Sequence, residues 1–313
     1  MDKRKPLKGG FLVLLGGALW GTMGVAGHPL FESDLPTLQI VSMRTSLAAV
    51  SILLIMFLTK PSLLKIRPKH IPFFMLCGFL AQYVFGFGYY SSIRMSGATA
   101  AVILLYTAPI FVSIYSRIFF RELFTWEKIL GLVLTLTGCF LTVGGLNLAH
   151  YDVNPLGIPF GLLAGFAFAS YTIMGKIGLT NYSPLTVATY SLTFGAVFLF
   201  ITHPPVAIAG QMTPLMWVSL LGLGLVSTTF AYICYTFGLQ LIESSRASII
   251  ASSEVVSAAV LAYFVLQEPM DLPRLIGIAL VLSGVVTTQE HFKLGGRPGA
   301  QTSDSYEEST ELE

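Results

Sequence analysis

The stretch SSRASIIASSEVVSAAVLAYFVLQE, residues 244–268, is long and apolar enough to cross a lipid bilayer. A transmembrane helix needs about 20 mostly apolar residues. Glu254 lies near the middle of this stretch, where inserting a carboxylate costs on the order of 2.5–3.5 kcal/mol. Such a group normally faces a protein interior or a watery cavity and marks a transport path. The stretch therefore predicts a polar, functional helix face, with Ser253 and Ser257 beside Glu254.

The composition indicates that the whole chain belongs to a membrane. Of its 313 residues, 54% are hydrophobic and only 11% are charged, whereas a soluble domain carries about 25% charged residues. Basic residues cluster at the ends of apolar runs, which favours a topology signal over a nucleic-acid-binding surface. The three cysteines are far apart and match no metal or disulfide spacing. We therefore expect no metal, no other cofactor and no nucleic-acid partner.

Ten apolar segments recur from one end of the chain to the other. A lone span must satisfy its backbone hydrogen bonds internally, so each segment is predicted to be a helix. The predicted fold class is an all-α polytopic membrane protein with ten transmembrane helices. The segments cover residues 10–30, 36–58, 71–91, 98–118, 126–146, 156–175, 184–202, 214–239, 244–266 and 272–289.

The basic residues predict the orientation of these helices. If the ten segments alternate in direction, 15 of the 18 lysines and arginines fall on the side that holds both termini, and 2 fall on the other side. The positive-inside rule then places both termini in the cytoplasm of a cell membrane, which we expect to be bacterial. Residues 1–9 are predicted to form a cytoplasmic N-terminus. The polar, acidic residues 291–313 are predicted to form a disordered cytoplasmic tail.

The chain also repeats internally. Residues 10–146 and 156–289 each contain five predicted helices, and an odd number turns the second copy upside down relative to the first. Inverted repeats with a site near the midplane are the architecture of alternating-access transporters. Pairs related by 148 or 146 positions include Gly17 with Gly165, Glu122 with Glu268, and Gly131 with Gly277.

Polar and aromatic residues inside the predicted spans are candidates for a substrate site. Glu254 has no acidic counterpart in the first half, because the equivalent position is Ala108. This break in symmetry points to function, although structural pairing of the carboxylate is the alternative. Trp20 lies near the middle of its span instead of at an interface, so it is expected to line a cavity. The candidate substrate-binding residues are Glu254, Trp20, Tyr83, Tyr106, Tyr171, Tyr232, Ser253 and Ser257.

Three further charged residues are candidates for structural or ion-pair roles. Glu122 and Glu268 end the fourth and ninth predicted helices at opposite membrane faces. Each is expected to cap the following helix or to pair with a nearby arginine. Arg44 lies inside the second predicted helix, where it can snorkel or join a hydrogen-bond network. The alternative for Arg44 is to pair with a substrate carboxylate or with Glu254.

Several short motifs recur along the chain in order. They are Ala18-Leu19-Trp20-Gly21, Arg44 within Met43-Arg44-Thr45, Thr107-Ala108-Pro109 with Phe119-Phe120-Arg121-Glu122, Lys128 and Gly131, Ala251 to Glu254, and Gln267-Glu268. Together they resemble the motifs of one known family, the EamA-type transporters of the drug/metabolite transporter superfamily. Val255 follows Glu254 where many relatives carry proline, which weakens the expectation of a helix break there.

The resemblance implies a ten-helix carrier with a central cavity between its halves, and relatives that move amino acids, other metabolites or drugs. We predict a secondary active transporter that exports a small polar or zwitterionic metabolite, such as an amino acid, by alternating access. Glu254 would hold an ammonium group or a coupling proton, which allows coupling to a proton gradient. Import of a similar solute and drug or multidrug efflux are the alternatives.

Other function classes find little support in the sequence. No HExxH motif, helical His and Asp pair or phosphate-cradling loop is present, so the chain is not expected to be an enzyme. Repeat symmetry without a ring of charges favours a carrier over a channel. The expected partners are a small-molecule substrate and the lipid bilayer, and the sequence leaves open whether the protein is a monomer or a dimer.

Overall fold

A computed structural model describes residues 4–146 and 153–289, and within these ranges the chain forms helices and no strand. The predicted tail at 291–313 and residues 1–3 of the predicted N-terminus lie outside the described residues. Large apolar side chains such as Phe57, Leu58, Ile201 and Phe264 are exposed on the outer surface, as a lipid-facing surface requires. The protein is therefore an all-α, multi-pass membrane protein.

Within the described ranges, seven helices, some formed by joined shorter helices, are long and apolar enough to cross a membrane. They are Lys5–Phe31, Thr37–Thr59, Pro68–Leu105, Pro155–Gly178, Pro184–Thr202, Pro214–Leu241 and Ser244–Leu266. Two shorter apolar helices are Ala108–Phe120 and Leu272–Thr287.

The described chain contains fifteen α-helices. The first half contains α1 (Arg4–Gly21), α2 (Met23–Phe31), α3 (Thr37–Thr59), α4 (Ile71–Gly78), α5 (Phe85–Leu105), α6 (Ala108–Phe120) and α7 (Trp126–Thr142). The second half contains α8 (Ile158–Gly178), α9 (Pro184–Thr202), α10 (Val206–Ala209), α11 (Pro214–Leu221), α12 (Ala231–Leu241), α13 (Ser244–Ala251), α14 (Glu254–Leu266) and α15 (Leu272–Thr287). Two π-helical segments, Phe79–Val84 and Gly222–Phe230, join α4 to α5 and α11 to α12.

Three predicted spans are broken near their middles. Residues 10–30 divide between α1 and α2 at Thr22. The other two breaks occupy matching places in the two halves. Residues 98–118 divide between α5 and α6 at Tyr106 and Thr107, and residues 244–266 divide between α13 and α14 at Ser252 and Ser253. At the break before α14 the N–H groups of Ser252 and Ser253 bond the carbonyls three residues back, at 3.2 and 3.0 Å. The tightened turns interrupt the α-helical ladder. The predicted spans are thus helical on both sides of each break. Hydropathy could not indicate the breaks, because apolar content does not report a local change in hydrogen-bond register.

Other backbone features also match across the two halves. Arg121 and Gln267, which are 146 positions apart, end α6 and α14 in the left-handed conformation with φ of 56° and 58°. The next N–H groups, of Glu122 and Glu268, bond the carbonyls six residues back at 3.3 and 3.2 Å. Both helices thus end in the same closing turn.

The first long helix of each half crosses the broken helix of the other half. A Cβ atom on Gly17 of α1 would lie 2.8 Å from the Ala251 carbonyl oxygen, and one on Gly165 of α8 would lie 3.2 Å from the Leu104 carbonyl oxygen. Glycine is needed at both crossings because the backbones approach so closely. Each break is thereby packed against a long helix of the other half.

One end of the molecule gathers the start of α1, the end of α12 and the end of α15. Gly9 lies against Leu241 and Ile242, and Gly10 lies against Gln289. We call this end the N-terminal face. The far end, where Ser96 donates to the Asn154 carbonyl at 2.7 Å, is called the opposite face.

Candidate substrate site

A cavity of about 110 Å³ lies between the two halves, beside the two matching helix breaks. One water molecule needs roughly 10–15 Å³ on the same measure, so the cavity has room for several waters or a small solute. The walls come mainly from α1, α3, α5, α8, α13 and the segments around both breaks. Residues that line it include Trp20, Met23, Arg44, Gln82, Phe85, Tyr89, Tyr90, Tyr106, Pro109, Phe168, Tyr171, Tyr232, Ser248, Ser252 and Glu254.

Glu254 is the acidic member of this lining. It is the first residue of α14, directly after the break at Ser252 and Ser253. A helix N-terminus carries a partial positive charge that favours a carboxylate in the first turn. Among the described residues its carboxylate has neither a hydrogen bond nor an ion pair. The cavity therefore receives an acid that the protein itself does not neutralise.

Arg44 is the basic member of the lining. Its residue is only 6% exposed, its Nη1 donates to the Met23 sulfur at 3.1 Å, and its Nε has no partner. A thioether is a weak acceptor, so the guanidinium is left with unused donors. Within the described chain Arg44 forms no salt bridge with Glu254. The cavity wall thus carries one cation and one anion that do not pair with each other.

Aromatic rings form much of the remaining wall. Trp20 makes edge contacts with Phe168 and Tyr232, at centroid distances of 5.7 and 5.5 Å. Tyr171 lies 5.0 Å from Tyr232, and the Gln82 amide donates to the Tyr232 hydroxyl at 2.6 Å. These contacts fix the rings in place and leave their faces and hydroxyl groups to shape the cavity.

The predicted site residues divide between the cavity and other places. The structure brings Glu254, Trp20, Tyr106, Tyr171 and Tyr232 to the cavity, together with Arg44.

Three candidates do not line it. Tyr83 stacks on Phe79 and faces His203, with centroids 5.3 and 6.4 Å apart. Ser253 packs against Gly17, and the Ser257 hydroxyl donates to the Glu254 carbonyl at 3.0 Å. The two serines therefore belong to the crossing with α1.

Several lining residues were missed by sequence reasoning. Gln82 is the clearest, and its signal was available, because it is the one amide side chain in the apolar stretch 71–91. Tyr89 and Tyr90 were not separable from other membrane tyrosines. Ser248 and Ser252 precede Glu254 on the broken helix, where their role depends on the break itself.

A charged cluster joins the two halves at the N-terminal face. Glu122 accepts hydrogen bonds from the N–H groups of Ser244 and Ser245, at 2.8 and 3.1 Å, and from the Ser245 hydroxyl. It therefore caps α13 of the other half instead of the following helix, α7. Lys128 lies 3.8 Å from Glu122 and 3.0 Å from Glu243.

Glu243 connects this cluster to the end of α15. Burial raises the pKa of Glu243, but hydrogen bonds from Arg246 and Lys128 outweigh this effect and hold the pKa below its usual range. Arg246 also donates to the Thr288 carbonyl at 2.5 Å. At the opposite face, Glu268 pairs with Arg274 at 3.0 Å.

No group of three or more His, Cys, Asp or Glu residues in the described part of the chain could hold a metal ion. The site's polar chemistry therefore rests on Glu254, Arg44, Gln82 and the tyrosine hydroxyls.

Two similar sets of apolar helices around a polar, aromatic cavity define a multi-pass membrane transporter. The chain belongs to the EamA-like transporter family, whose model matches residues 7–144 and again residues 155–288. The resemblance drawn from the sequence motifs is thus confirmed.

Similar proteins agree with this class. An uncharacterized transporter of Archaeoglobus fulgidus is 30% identical over 259 residues, covering 80% of this chain and 88% of that protein. The uncharacterized inner membrane transporter YicL of Salmonella typhimurium is 25% identical, covering 89% and 94% respectively. A solved crystal structure shares the fold with a TM-score of 0.76 and 16% identity over 92% of this chain and 96% of that chain.

Proposed function

We propose that this protein is a secondary active transporter that exports a small zwitterionic metabolite, such as an amino acid, by alternating access. The observation that carries the proposal is that Arg44 and Glu254 line the same cavity without forming an ion pair with each other. A zwitterion brings a carboxylate for the guanidinium and an ammonium group for the carboxylate. Charged hydrogen bonds of this kind are worth roughly 1.5–3 kcal/mol each, which is enough to select a solute.

The aromatic walls suit the remainder of such a solute. Trp20, Tyr106, Tyr171 and Tyr232 offer ring faces that bind an ammonium group by cation–π contact or pack on an apolar side chain. The Gln82 amide fixes the Tyr232 hydroxyl and thereby the shape of the wall. A purely apolar drug would leave Arg44 and Glu254 unpaired, so a zwitterion fits better than a multidrug efflux substrate.

The proposed carrier crosses the membrane ten times as two inverted five-helix repeats. The seven long apolar helices supply seven crossings. The shorter helices α6, α7 and α15 supply the others, with α6 continuing the second part of α5 after its break. Basic residues concentrate at the N-terminal face, which supports placing that face and both termini in the cytoplasm.

Proton coupling is the proposed energy source. Glu254 is the acid that can alternate between a proton and the substrate's ammonium group, since within the described residues its carboxylate has no partner to give up. Export then follows if a proton enters as the solute leaves.

The test compares solutes inside and outside cells that express the intact protein, Glu254→Gln or Glu32→Gln. Glu32 is an exposed carboxylate in the loop after α2, so its variant controls for loss of charge alone. We expect one zwitterionic solute to accumulate outside with the intact protein and with Glu32→Gln, but not with Glu254→Gln.

Other outcomes would correct the proposal. Accumulation inside the cells would identify an importer, and an uncharged solute would remove the zwitterion argument. Equal export by the intact protein and Glu254→Gln, at matched expression, would show that Glu254 takes no part. Purified protein in liposomes with an imposed pH gradient then tests coupling: intact protein should respond to the gradient, and Glu254→Gln should not.

A further inference from the structure

Glu122 and Glu268 occupy the same place in the two halves but have different partners. Both follow a left-handed residue that ends a half-helix, and both backbones close the same turn. The basic neighbours also correspond, because adding 146 to Lys128 gives Arg274. The scaffold is therefore equal on the two faces, and any difference between the glutamates reflects what stands opposite them.

At the N-terminal face Glu122 joins the two halves. Its side chain is 8% exposed and binds the first two N–H groups of α13, which belongs to the other half. The helix α13 also packs along α6. The N-terminal face is thus closed by a carboxylate from one half on a half-helix of the other.

At the opposite face the equivalent contact is missing. Subtracting 146 from Ser244 and Ser245 gives Ala98 and Thr99, which begin a new helical segment after Gly97, where φ is +81°. Glu268 bonds neither residue. Its side chain is 46% exposed and pairs only with Arg274 among the described residues. The segment 98–105 also lacks packing on α14 comparable to that of α13 on α6.

We infer that Glu122 and Glu268 are alternating gate residues of the transport cycle. In the present state Glu122 caps α13 and closes the N-terminal face. In the other state Glu268 caps the segment that starts at Ala98 and closes the opposite face, while Glu122 releases Ser244 and Ser245. The inference rests on the inverted-repeat carrier proposed above, because only inversion places the equivalent contacts at opposite faces.

The physical reason is that the two faces carry equivalent pairs of a carboxylate and a helix N-terminus. A buried carboxylate needs hydrogen-bond donors, and the open N-terminus of a half-helix supplies them. Each face therefore has its own acid and its own helix start, and closing one face can offset the cost of opening the other. Lys128 and Arg274 stand beside the two acids and stabilise each when its cap is released.

Hydrogen exchange of the purified, full-length protein tests the inference without knowledge of the substrate. The measured peptides cover residues 243–247 and 97–101, compared between the intact protein, Glu122→Gln and Glu268→Gln. For Glu122→Gln we expect exchange roughly five- to tenfold faster at 244–245 and slower at 98–99, because the balance moves toward the state closed at the opposite face. For Glu268→Gln we expect protection at 244–245 to be kept or increased.

Arg274→Gln supplies the matched control for a simple ion pair. If Glu268 serves only to bind Arg274, then Arg274→Gln and Glu268→Gln should change exchange alike. The gate hypothesis predicts different results for the two variants. Arg274→Gln leaves the Glu268 carboxylate intact and free to cap Ala98 and Thr99, so exchange at 98–99 should become slower.

The outcome that overturns the inference is a purely local effect. Faster exchange at 244–245 in Glu122→Gln with no change at 98–99 would make Glu122 a static cap. This result is separable from failure of the proposed function: opposite changes at the two faces uphold the gate even if no solute is exported.

Discussion

The helices α6 and α14 begin at equivalent positions of the two halves but with different chemistry. The first begins with Ala108 and Pro109, and the second begins with Glu254 and Val255. Both follow a break. Gly165 of α8 packs against the break before α6, and Gly17 of α1 packs against the break before α14. Proline explains a break in the first half, yet the second half breaks at the same place without one. The difference teaches that the fold, through the crossing helices, sets the break, and that the residue after it is free to supply function.

The largest expected effect tests whether the packing of the crossing helices imposes the break before Glu254. We expect Val255→Pro to cost no more than about 1 kcal/mol, the loss of the Val255 N–H bond to the Ser252 carbonyl, because a proline already stands at the equivalent position, Pro109. Val260→Pro, in the interior of α14, should cost about 3 kcal/mol or more through a lost hydrogen bond and a steric clash. Thermal unfolding in one detergent measures both. Equal losses would show that α14 runs through Glu254 without a break.

The next effect tests whether the carboxylate can act only from position 254 in the second half. Glu254→Ala should lower transport about 10- to 100-fold, the equivalent of one charged hydrogen bond. Adding Ala108→Glu places a carboxylate at the equivalent position of the first half. We expect no recovery, because Ala108 lines the same cavity at a different place, so its carboxylate would not stand where that of Glu254 does. Uptake and efflux assays of the identified solute measure this, and restored transport would mean that the halves are functionally equivalent.

A smaller effect tests the crossing itself. Gly17→Ala should destabilise the protein by roughly 1–3 kcal/mol, because the added methyl group meets the Ala251 carbonyl and the Ser253 hydroxyl. Gly165→Ala should act similarly at the other break. Gly24→Ala is the control, since nothing lies within 4 Å of its added Cβ, and it should be neutral or stabilising. If Gly17→Ala matched Gly24→Ala in thermal unfolding, the close crossing would be disproved.

The smallest effect concerns the charged cluster of the N-terminal face, which includes Glu243. Because the pKa of Glu243 is lowered in the folded protein, its ion pairs stabilise above the unfolded pKa and are lost as pH falls through the folded pKa. Glu243→Gln should therefore unfold at a slightly lower temperature than the intact protein at neutral pH. The difference should vanish in acid.

The size of this effect is limited by exposure. The Glu243 side chain is 39% exposed, so screening should keep the stabilisation below about 1 kcal/mol. The unfolding temperatures of the intact protein and of Glu243→Gln, taken from neutral to acidic pH at low and high salt, measure this stabilisation. A difference that persisted in acid would assign the effect to packing instead of charge.

The sequence by itself determined the class of the protein and its most informative residue. Apolar content showed that the chain belongs to a membrane, because the cost of inserting a charge into the bilayer applies to each span regardless of its neighbours. The same cost made Glu254 conspicuous. The offsets of 146 and 148 positions likewise indicated two equivalent halves before any contact was known.

Only the tertiary structure decided which side chains meet. Tyr83 and Tyr106 look alike in sequence, yet Tyr106 lines the cavity and Tyr83 stacks on Phe79. Hydropathy fixes that a helix spans the bilayer but not its rotation, and each residue of extra register in a π-helical segment turns the following helix by about 100°. The cap between Glu122 and Ser244 joins residues 122 positions apart. Such a contact exists only when the two halves pack together, so no local pattern in the sequence could predict it.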